Sequence, residues 1–471
     1  MGCCNRRCGL IAGAVIGAAV AILGGILIPL GNSVIEGTVK KVGSVIEPGT
    51  TAYENWVATG VKVYRQFWFF DLKNPQEVLQ YGARPVVLEK GPYTYTTRYL
   101  PKENVTFNNN HTVSFLLPLG AIFEPSLSVG SEEDKVTTLN LAVAVSGAYT
   151  LVPKPLHPVL EMRIKATNSS LFQHRTVKEM LWGYTDPLLK DVVGLFSPYN
   201  GTFDGYYTVY DGKEDISKVG TIDRWRGERS LSFWSDKYCD MINGTDASFF
   251  PPFVNKKKPL YFFSSDICRS VSASYEETVN LKGIEVYRYS LLPSTLASPV
   301  VNPDNQCYCR DKKITKNCTL AGVLDISTCQ NGRPSYISLP HFLHGSPWLR
   351  ENVLGLNPDE QYHKTYLDVE PNTGFTLNFA KRIQVNMMYG PSNVITVLKK
   401  IKDYTIFPVA WLNETAMLDD ETADMFKQEL ISRIRMLEVV QQSLLGVGLA
   451  IFAVCLISYC VEHLPIHLQW S

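Results

Sequence analysis

Two charge-free apolar stretches at the ends of the chain constrain this sequence more than any other feature. The first runs for 28 residues from Cys8 to Ile35, and the second for 23 residues from Val439 to Val461. A helix rises about 1.5 Å per residue and crosses a hydrocarbon core about 30 Å thick in about 20 residues, so each stretch can span a bilayer. We therefore predict transmembrane helices over residues 8–30 and 439–461.

Two other interpretations of these stretches stay open. The first stretch offers a small-residue cleavage site at Ala19-Val20-Ala21, as a signal peptide would, although signal-peptide apolar cores usually run only about 7–15 residues. The second could be the buried helix of a soluble domain, although charge-free helices of this length are uncommon there.

The short N-terminal tail sets the orientation. Arg6 and Arg7 flank the first span, and basic residues next to a span favour the cytoplasmic side. Two spans return the C-terminus to the same side. We expect cytoplasmic tails over residues 1–7 and 462–471, and one extracellular domain over residues 31–438.

The segment between the spans carries seven N-glycosylation sequons without proline in the middle position. Seven sequons confined to one topological segment indicate the secretory lumen or the cell exterior. The predicted acceptors are Asn104, Asn110, Asn168, Asn200, Asn243, Asn317 and Asn413.

The cysteines divide between this segment and the spans. An even number of cysteines in an oxidising compartment predicts three disulfides, with a zinc site on the Cys-x-Cys pair and two further thiolates as the alternative. The six cysteines of the segment are Cys239, Cys268, Cys307, Cys309, Cys318 and Cys329.

The remaining five cysteines lie at the predicted cytoplasmic ends of the spans. Cysteines next to a span on that face are candidates for S-palmitoylation, which we predict for Cys3, Cys4, Cys8 and Cys460. For Cys455, inside the span, we favour a packing role.

Glycines recur every fourth residue in the first span, at Gly9, Gly13 and Gly17. This spacing puts them on one helix face, where another helix could approach closely. The partner helix would belong to the same chain or to a second copy, so a homo-oligomer is one hypothesis.

Strand patterns dominate the segment between the spans. Residues 365–370 and 375–387 alternate with a period of two around the turn Pro371-Asn372-Thr373-Gly374, which predicts a hairpin. Residues 136–145, 206–210, 284–289 and 336–339 read as further strands. We expect a mainly antiparallel β domain.

Residues 151–190 are the exception to this β pattern. Thr176-x-x-Glu179 is a capping box and predicts a short helix. Basic residues surround it, and their functional interpretation is a cationic docking surface for anionic ligands, against the alternative of a solvated helix face. The candidate ligand-binding residues, called the basic cluster below, are Arg163, Lys165, Arg175 and Lys178.

Charge and motifs exclude several function classes. With 45 basic and 45 acidic residues the chain has no net charge, so nucleic acid is not an expected partner. The sequence contains no H-E-x-x-H motif, no G-x-S-x-G motif and no phosphate-binding loop. We expect no enzyme activity, no metal site and no cofactor.

Several strings closely resemble the class B scavenger receptors, with the fatty-acid translocase (platelet glycoprotein IV) branch as the nearest. The resemblance covers nearly the whole chain. The strings that carry it are YRQFWFFDLKNPQEV (64–78), KGPYTY (90–95), GAIFEPSLSVG (120–130), CDMINGTDASFFPPF (239–253), SSDICRS (264–270), SLPHFL (338–343) and YLDVEPNTGFTLNFAKR (366–382).

This resemblance implies a plasma-membrane receptor with two spans, whose ectodomain is an antiparallel β-barrel with a helical apex and an internal apolar tunnel. It implies binding of long-chain fatty acids, oxidised lipoproteins and anionic phospholipids, with uptake through the tunnel or by endocytosis. The implied disulfides are Cys239–Cys307, Cys268–Cys329 and Cys309–Cys318.

The sequence departs from the branch at three places. The branch's apical lysine pair corresponds to Ala166 and Asn168 here, with Lys165 and Arg163 just before them. Residues 107–111, which correspond to an acidic thrombospondin-binding segment, carry no acid, which argues against that partner. The tail after Cys460 lacks the basic residues and the second cysteine of family tails.

Two other function classes remain as alternatives. A two-span ligand-gated channel also has a glycosylated, cysteine-rich ectodomain between cytoplasmic termini, but its spans should carry polar groups along a pore. A membrane-tethered ectoenzyme is the third possibility.

Overall fold

The structure is a computed structural model, and it describes residues 6–39, 45–58, 61–148, 154–311, 313–330, 332 and 334–463. Cys3, Cys4 and the end of the C-terminal tail lie outside the described residues. The chain divides into two compact units. One contains the terminal helices and residues 282–284, and the other contains residues 44–281 and 285–418.

The α-helices of the described part are α1 (Arg6–Thr38), α2 (Thr51–Val57), α3 (Pro75–Tyr81), α4 (Leu141–Ala148), α5 (His157–Ala166), α6 (Val177–Trp182), α7 (Pro347–Glu351), α8 (Glu360–His363), α9 (Asp420–Phe426) and α10 (Ser432–His463), with a π-helical turn at Lys427–Ile431.

The strands are β1 (Val63–Leu72), β2 (Val87–Thr97), β3 (Glu103–Asn108), β4 (Thr112–Leu119), β5 (Ala121–Phe123), β6 (Lys135–Leu139), β7 (Phe172–Thr176), β8 (Tyr184–Thr185), β9 (Val192–Val193), β10 (Thr202–Tyr210), β11 (Ile222–Trp225), β12 (Leu260–Ser264), β13 (Arg269–Leu281), β14 (Ile284–Leu291), β15 (Leu324–Asp325), β16 (Tyr336–Ser338), β17 (Tyr366–Val369), β18 (Thr376–Tyr389) and β19 (Thr405–Met417).

The terminal helices confirm the two long apolar elements that the sequence predicts. Within α1 and α10, the segments Arg6–Gly37 and Ser432–Val461 are long and apolar enough to cross a membrane. Both extend beyond the predicted spans of residues 8–30 and 439–461, because the helices continue into polar sequence at their ends. The two helices pack against each other.

Glycines make the contact between α1 and α10 close. A Cβ added at Gly17 would lie 2.5 Å from the backbone nitrogen of Phe452, and one at Gly24 would lie 2.5 Å from that of Leu445. At Gly13 the nearest atom is the Cys455 Sγ, at 2.6 Å, whereas Gly9 has open space around it. The glycine face therefore binds the chain's own second helix at Gly13 and Gly17, and this contact does not involve Gly9.

One polar side chain joins the two helices. The Gln441 amide nitrogen donates to the Leu27 carbonyl oxygen at 2.8 Å, and Gln441 is buried. An interhelical hydrogen bond of this kind satisfies an amide that lipid cannot solvate. Gln441 thus stabilises the contact between α1 and α10.

The other unit is built on an antiparallel sheet of eleven strands among the described residues. Its main path runs β12-β13-β14-β17-β18-β19-β1-β2-β5, and β16 pairs with both β15 and β18 beside it. Burial alternates along β1, as expected for a strand with one face in the core. The mainly antiparallel β domain is confirmed. The recorded path ends at β5 and β12, so closure into a barrel and the tunnel remain predictions.

The predicted hairpin is present as β17 and β18, with Leu367 opposite Phe379. Its turn needs Gly374, which has φ +79° and lies so close to Phe250 that an added Cβ would be 2.0 Å from the Phe250 carbonyl oxygen. A glycine is required at this point because an L side chain would be both strained and blocked.

The strand predicted over residues 136–145 is wrong in its second half. β6 ends at Leu139, and α4 begins at Leu141. Asn140 explains the change, because its side-chain oxygen accepts the backbone N–H of Ala142 at 3.1 Å and starts the helix. Apolar periodicity over a short run does not distinguish a strand from a buried helix.

The structure contains three disulfides, Cys239–Cys307, Cys268–Cys329 and Cys309–Cys318, which is the pairing that the family resemblance implies. Their sequence separations are 68, 61 and 9 residues. In the chain-entropy account, the two long loops restrict the unfolded ensemble most, each by about 4 kcal/mol.

Replacement of Gly17 tests the packing of the two terminal helices. We expect Gly17→Leu to lower the stability of the detergent-solubilised protein by about 1–3 kcal/mol, because the new side chain meets the α10 backbone, which cannot move aside. Gly25→Leu is the matched control, since Gly25 has nothing within 4 Å. Equal thermal unfolding of the two variants would contradict this account of the contact.

Candidate functional site

The capping box at the start of α6 is confirmed. The Thr176 hydroxyl accepts the Glu179 backbone N–H at 3.2 Å, and the Glu179 carboxylate accepts the Thr176 backbone N–H at 3.0 Å. Behind the cap, Val177 and Leu181 are fully buried. The helix is therefore fixed at its first turn and along its inner face.

Arg175 is held by neighbours on its own segment. Its guanidinium carbon lies 3.7 Å from the centre of the Tyr184 ring, and Nε donates to the Gln173 side-chain oxygen at 3.1 Å. Nη1 also lies 3.5 Å from a Glu179 carboxylate oxygen. These contacts compete with any external anion for the same donors.

α5 is anchored by an acid that faces inward. The Glu161 carboxylate is buried and accepts hydrogen bonds from the backbone N–H of Thr396, at 2.9 Å, and from its hydroxyl. Burial would raise the pKa of Glu161, but the two Thr396 hydrogen bonds and the ammonium of Lys165 outweigh it and lower this pKa. Lys165 Nζ lies 3.1 Å from Glu161, so its charge is partly used inside the molecule.

Arg163 and Lys178 differ from the other two members of the basic cluster. Both are exposed, and within the part of the chain that the structure describes neither side chain has a hydrogen-bonding or acidic partner. The structure thus separates the basic cluster into two cations that contact acids, Lys165 and Arg175, and two exposed cations that have no acidic partner among the described residues.

An apolar face of α5 escaped the sequence analysis. Val159 and Met162 on α5 are 45% and 63% exposed, and Leu156, at its N-cap, is 51% exposed; their spacing of three places them along one side of the helix. Glu161 and Ile164 occupy the buried side instead. The sequence shows no regular apolar repeat here, because Glu161 occupies a buried position at which a helical pattern predicts an apolar residue.

A buried ionic cluster lies in the middle of the large sheet. Arg65 on β1 is opposite Glu414 on β19 and donates through Nε at 2.8 Å, while Arg98 donates to the second carboxylate oxygen at 2.9 Å. Burial would raise the pKa of Glu414, but the two guanidinium groups lower it strongly. The Arg65 guanidinium also lies over the rings of Phe196 and Tyr199.

Two buried histidines form a second polar cluster. The rings of His341 and His363 stack with centres 4.5 Å apart. His341 Nδ1 accepts the Asn357 backbone N–H at 3.0 Å, and its Nε2 lies 2.6 Å from the Glu89 carboxylate. His363 Nδ1 accepts the backbone N–H of Asp359 at 2.8 Å. Because each Nδ1 accepts a hydrogen bond, both rings are held with Nδ1 unprotonated.

The predicted modification sites differ in accessibility. Among the sequons, Asn104, Asn110, Asn168, Asn200 and Asn317 are exposed, and Asn243 is half-buried. Asn413 is also half-buried, within β19, and its amide nitrogen donates to the Gln66 side-chain oxygen at 3.1 Å. That nitrogen would have to carry the glycan, so a glycan on Asn413 would change this contact of the folded protein. All seven remain predictions.

The structure also shows the surroundings of the cysteines in the terminal helices and of the cysteines considered for zinc. Cys8 and Cys460 are exposed, whereas Cys455 lies against Gly13, as its packing role requires. One group of metal-type side chains occurs among the described residues, Asp236 with Cys239 and Cys307. Its two sulfurs are bonded to each other, so they offer no thiolate to zinc.

Comparison with known proteins gives one consistent result. The profile of the CD36 family matches residues 15–459. Scavenger receptor class B member 1 of Rattus norvegicus is 33% identical over 472 residues, which cover 97% of this chain and 90% of the relative. Lysosome membrane protein 2 of Rattus norvegicus is 33% identical over 446 residues, with 90% and 88% covered.

The histidine pair predicts an acid-sensitive fold. Burial and the neighbouring His341 lower the pKa of His363 to about 4, against 6.5 for a free histidine, although Glu89 and Asp359 act in the opposite direction. The unfolded chain therefore binds a proton at this residue between about pH 6.5 and pH 4, and the folded chain does not. We expect the free energy of unfolding to fall by about 1–3 kcal/mol across this window.

Chemical denaturation at a series of pH values measures this effect. His363→Asn should flatten the dependence, because the asparagine side-chain oxygen can still accept the Asp359 N–H without titrating. His174→Gln, at an exposed histidine, is the control and should leave the slope unchanged. A slope that survives in His363→Asn would assign the acid sensitivity to other groups.

Proposed function

Because the chain belongs to the CD36 family, we propose that it is a plasma-membrane scavenger receptor that captures anionic lipid particles on the outer side of α5 and α6. The observation that carries this proposal is the juxtaposition, on α5, of the exposed cation Arg163 with the exposed apolar residues Val159 and Met162. Lys178 adds a second available cation on α6.

The two kinds of side chain would do different work. Oxidised lipoproteins and anionic phospholipids carry negative charge, and exposed cations attract it within a Debye length of about 8 Å at physiological salt. Apolar side chains can then enter the lipid surface, where burial contributes about 25 cal/mol for each Å² removed from water. Charge would bring the particle to the receptor and apolar burial would retain it.

Lipid uptake is the second part of the proposal. A long-chain fatty acid gains about 0.8 kcal/mol for each buried CH₂ group, so an apolar tunnel through the β domain would hold its tail. Endocytosis of the whole particle is the other route. Mass spectrometry of the lipids that co-purify with the full-length protein tests the first route, because an occupied tunnel should yield long-chain acyl species.

We further propose that both termini are cytoplasmic, that Cys8 and Cys460 are palmitoylated together with Cys3 and Cys4, and that no catalytic step is involved. One of the relatives named above is a receptor by name, which supports a binding role. Self-association through Gly9, Gly13 and Gly17 remains a prediction, and a second copy would find only Gly9 free of α10.

Removal of the available cations tests the capture step. We expect Arg163→Gln with Lys178→Gln to lower the association rate for oxidised lipoprotein by about fivefold at physiological salt, with a smaller difference at high salt, because steering charges act mainly on encounter. Lys257→Gln with Lys258→Gln is the matched control, since both lysines are exposed and lie on another loop. Surface plasmon resonance on the full-length protein gives the rates.

The apolar face is tested separately. Val159→Ser with Met162→Ser should raise the dissociation rate by about fivefold and leave the salt dependence of association unchanged, because neither side chain is charged. Both positions are exposed, so folding and surface delivery should be retained. If the dissociation rate is unchanged while the cation variants are still impaired, capture is electrostatic alone.

A further inference from the structure

A polar cavity lies beside the disulfide-rich region and has no part in the proposed lipid capture. Its volume is about 360 Å³. It is bounded by β13 on one side and by the loop of residues 294–308 on another. Hydroxyl, amide and charged groups supply much of the wall, among them Ser270, Ser272 and Asn305.

Arg269 is the buried charge of this cavity. It is only 8% exposed, and its guanidinium carbon lies 3.7 Å from the centre of the Tyr308 ring. Nη1 donates to the Thr295 carbonyl oxygen at 3.2 Å, and Nε makes a longer contact to the Ser270 carbonyl oxygen at 3.4 Å. In the described part of the chain, the Tyr308 side chain also interacts with the guanidinium, which has no carboxylate partner.

An N-glycosylation sequon forms another part of the wall. Asn243 lines the cavity, and its backbone N–H donates to the Ser270 hydroxyl at 2.8 Å. Gly244 follows with φ +91°, and an added Cβ there would lie 1.9 Å from the Tyr261 carbonyl oxygen. The Asn243 position is thus fixed against β12 and β13. A sugar attached to its side chain would begin at the cavity.

Two tyrosines add aromatic surface to the polar wall of the cavity. Tyr238 and Tyr261 both line the cavity and are 52% and 46% exposed. The Tyr238 hydroxyl donates to the Asp304 carboxylate at 3.4 Å, which brings an acceptor into the same cavity. The cavity therefore offers donors, an acceptor and aromatic faces together.

This combination selects the chemical class of the occupant. An acyl chain would gain little from so polar a wall, and a phosphate or sulfate would meet the Asp304 carboxylate as well as Arg269. A neutral sugar has hydroxyls that donate to a carboxylate, a carbonyl or hydroxyl that accepts from a guanidinium, and C–H groups that lie on an aromatic ring. A sugar that is covalently attached to Asn243 is also already at the cavity and does not have to bind from solution.

We propose that the first N-acetylglucosamine of an N-glycan on Asn243 folds back into this cavity and is bound there by Arg269, Asp304 and Tyr238. The glycan is transferred before folding. The bond from the anomeric carbon to the lipid pyrophosphate breaks, the Asn243 amide nitrogen bonds to that carbon and loses one proton, and the lipid pyrophosphate leaves. The folded domain then closes around the sugar, which bridges β13 and the loop that contains Cys307.

Resistance of this glycan to enzymatic release tests the proposal. The full-length protein is expressed in mammalian cells, solubilised in mild detergent and treated with peptide-N-glycosidase in ¹⁸O water. Mass spectrometry then follows release at each asparagine. We expect release at Asn243 to be at least about tenfold slower than at Asn110, whose side chain is exposed, because release requires local opening. The two rates should be equal after denaturation.

Two variants test whether contacts in the cavity cause the slow release of the Asn243 glycan. Tyr238→Ala and Ser272→Ala should each accelerate release at Asn243 and leave Asn110 unchanged, since neither residue is part of the core. Tyr362→Ala, at a tyrosine that is 62% exposed elsewhere, should have no effect. An unoccupied Asn243, release as fast as at Asn110, or resistance that persists in both cavity variants would each overturn the proposal.

Discussion

The buried cross-strand pair of Arg65 and Glu414 is the interaction on which the arrangement of the large sheet depends. The two residues are opposite each other on β1 and β19, with side chains 3% and 2% exposed. Ions taken out of water lose several kcal/mol of solvation each, so neither charge could remain here without the other. Arg98, at the end of β2, satisfies the second carboxylate oxygen. The cluster therefore disfavours any slip of β1 against its two neighbours, because a shift of one residue would bury an unpaired charge.

The cations of the interior and those of the surface also differ in whether an acid pairs with them. The chain has no net charge, yet its cations are not equivalent. Arg65 and Arg98 both bind the buried Glu414 carboxylate, and Lys165 and Arg175 contact acids on their own segments. Arg163 and Lys178 have no such acidic partner among the described residues. Sequence proximity placed all four residues of the basic cluster in one group, but their contacts differ.

Local patterns in the sequence predicted the elements that depend on local forces. The spans follow from length and absence of charge, the β17–β18 hairpin from its alternation and turn, and α6 from its capping box. The strand prediction for residues 136–145 failed because the side chain of Asn140 decides between strand and helix there. The disulfide pairing came from the family resemblance, since spacing alone leaves the connectivity open. The Glu89–His341–His363 cluster and the inward Glu161 escaped prediction because their partners are far apart in the chain.

The glycine contacts between α1 and α10 also fix a register with a consequence for the chain ends. Gly24 lies against Leu445, Gly17 against Phe452 and Gly13 against Cys455, so the helices run antiparallel with an offset that is constant to within one residue. The same offset carried toward the termini brings Cys8 level with Cys460. Acyl chains on these two thiols would enter one leaflet at one depth. A paired anchor of that kind holds far more firmly than a single chain, so partitioning into ordered lipid would respond to the state of both thiols together.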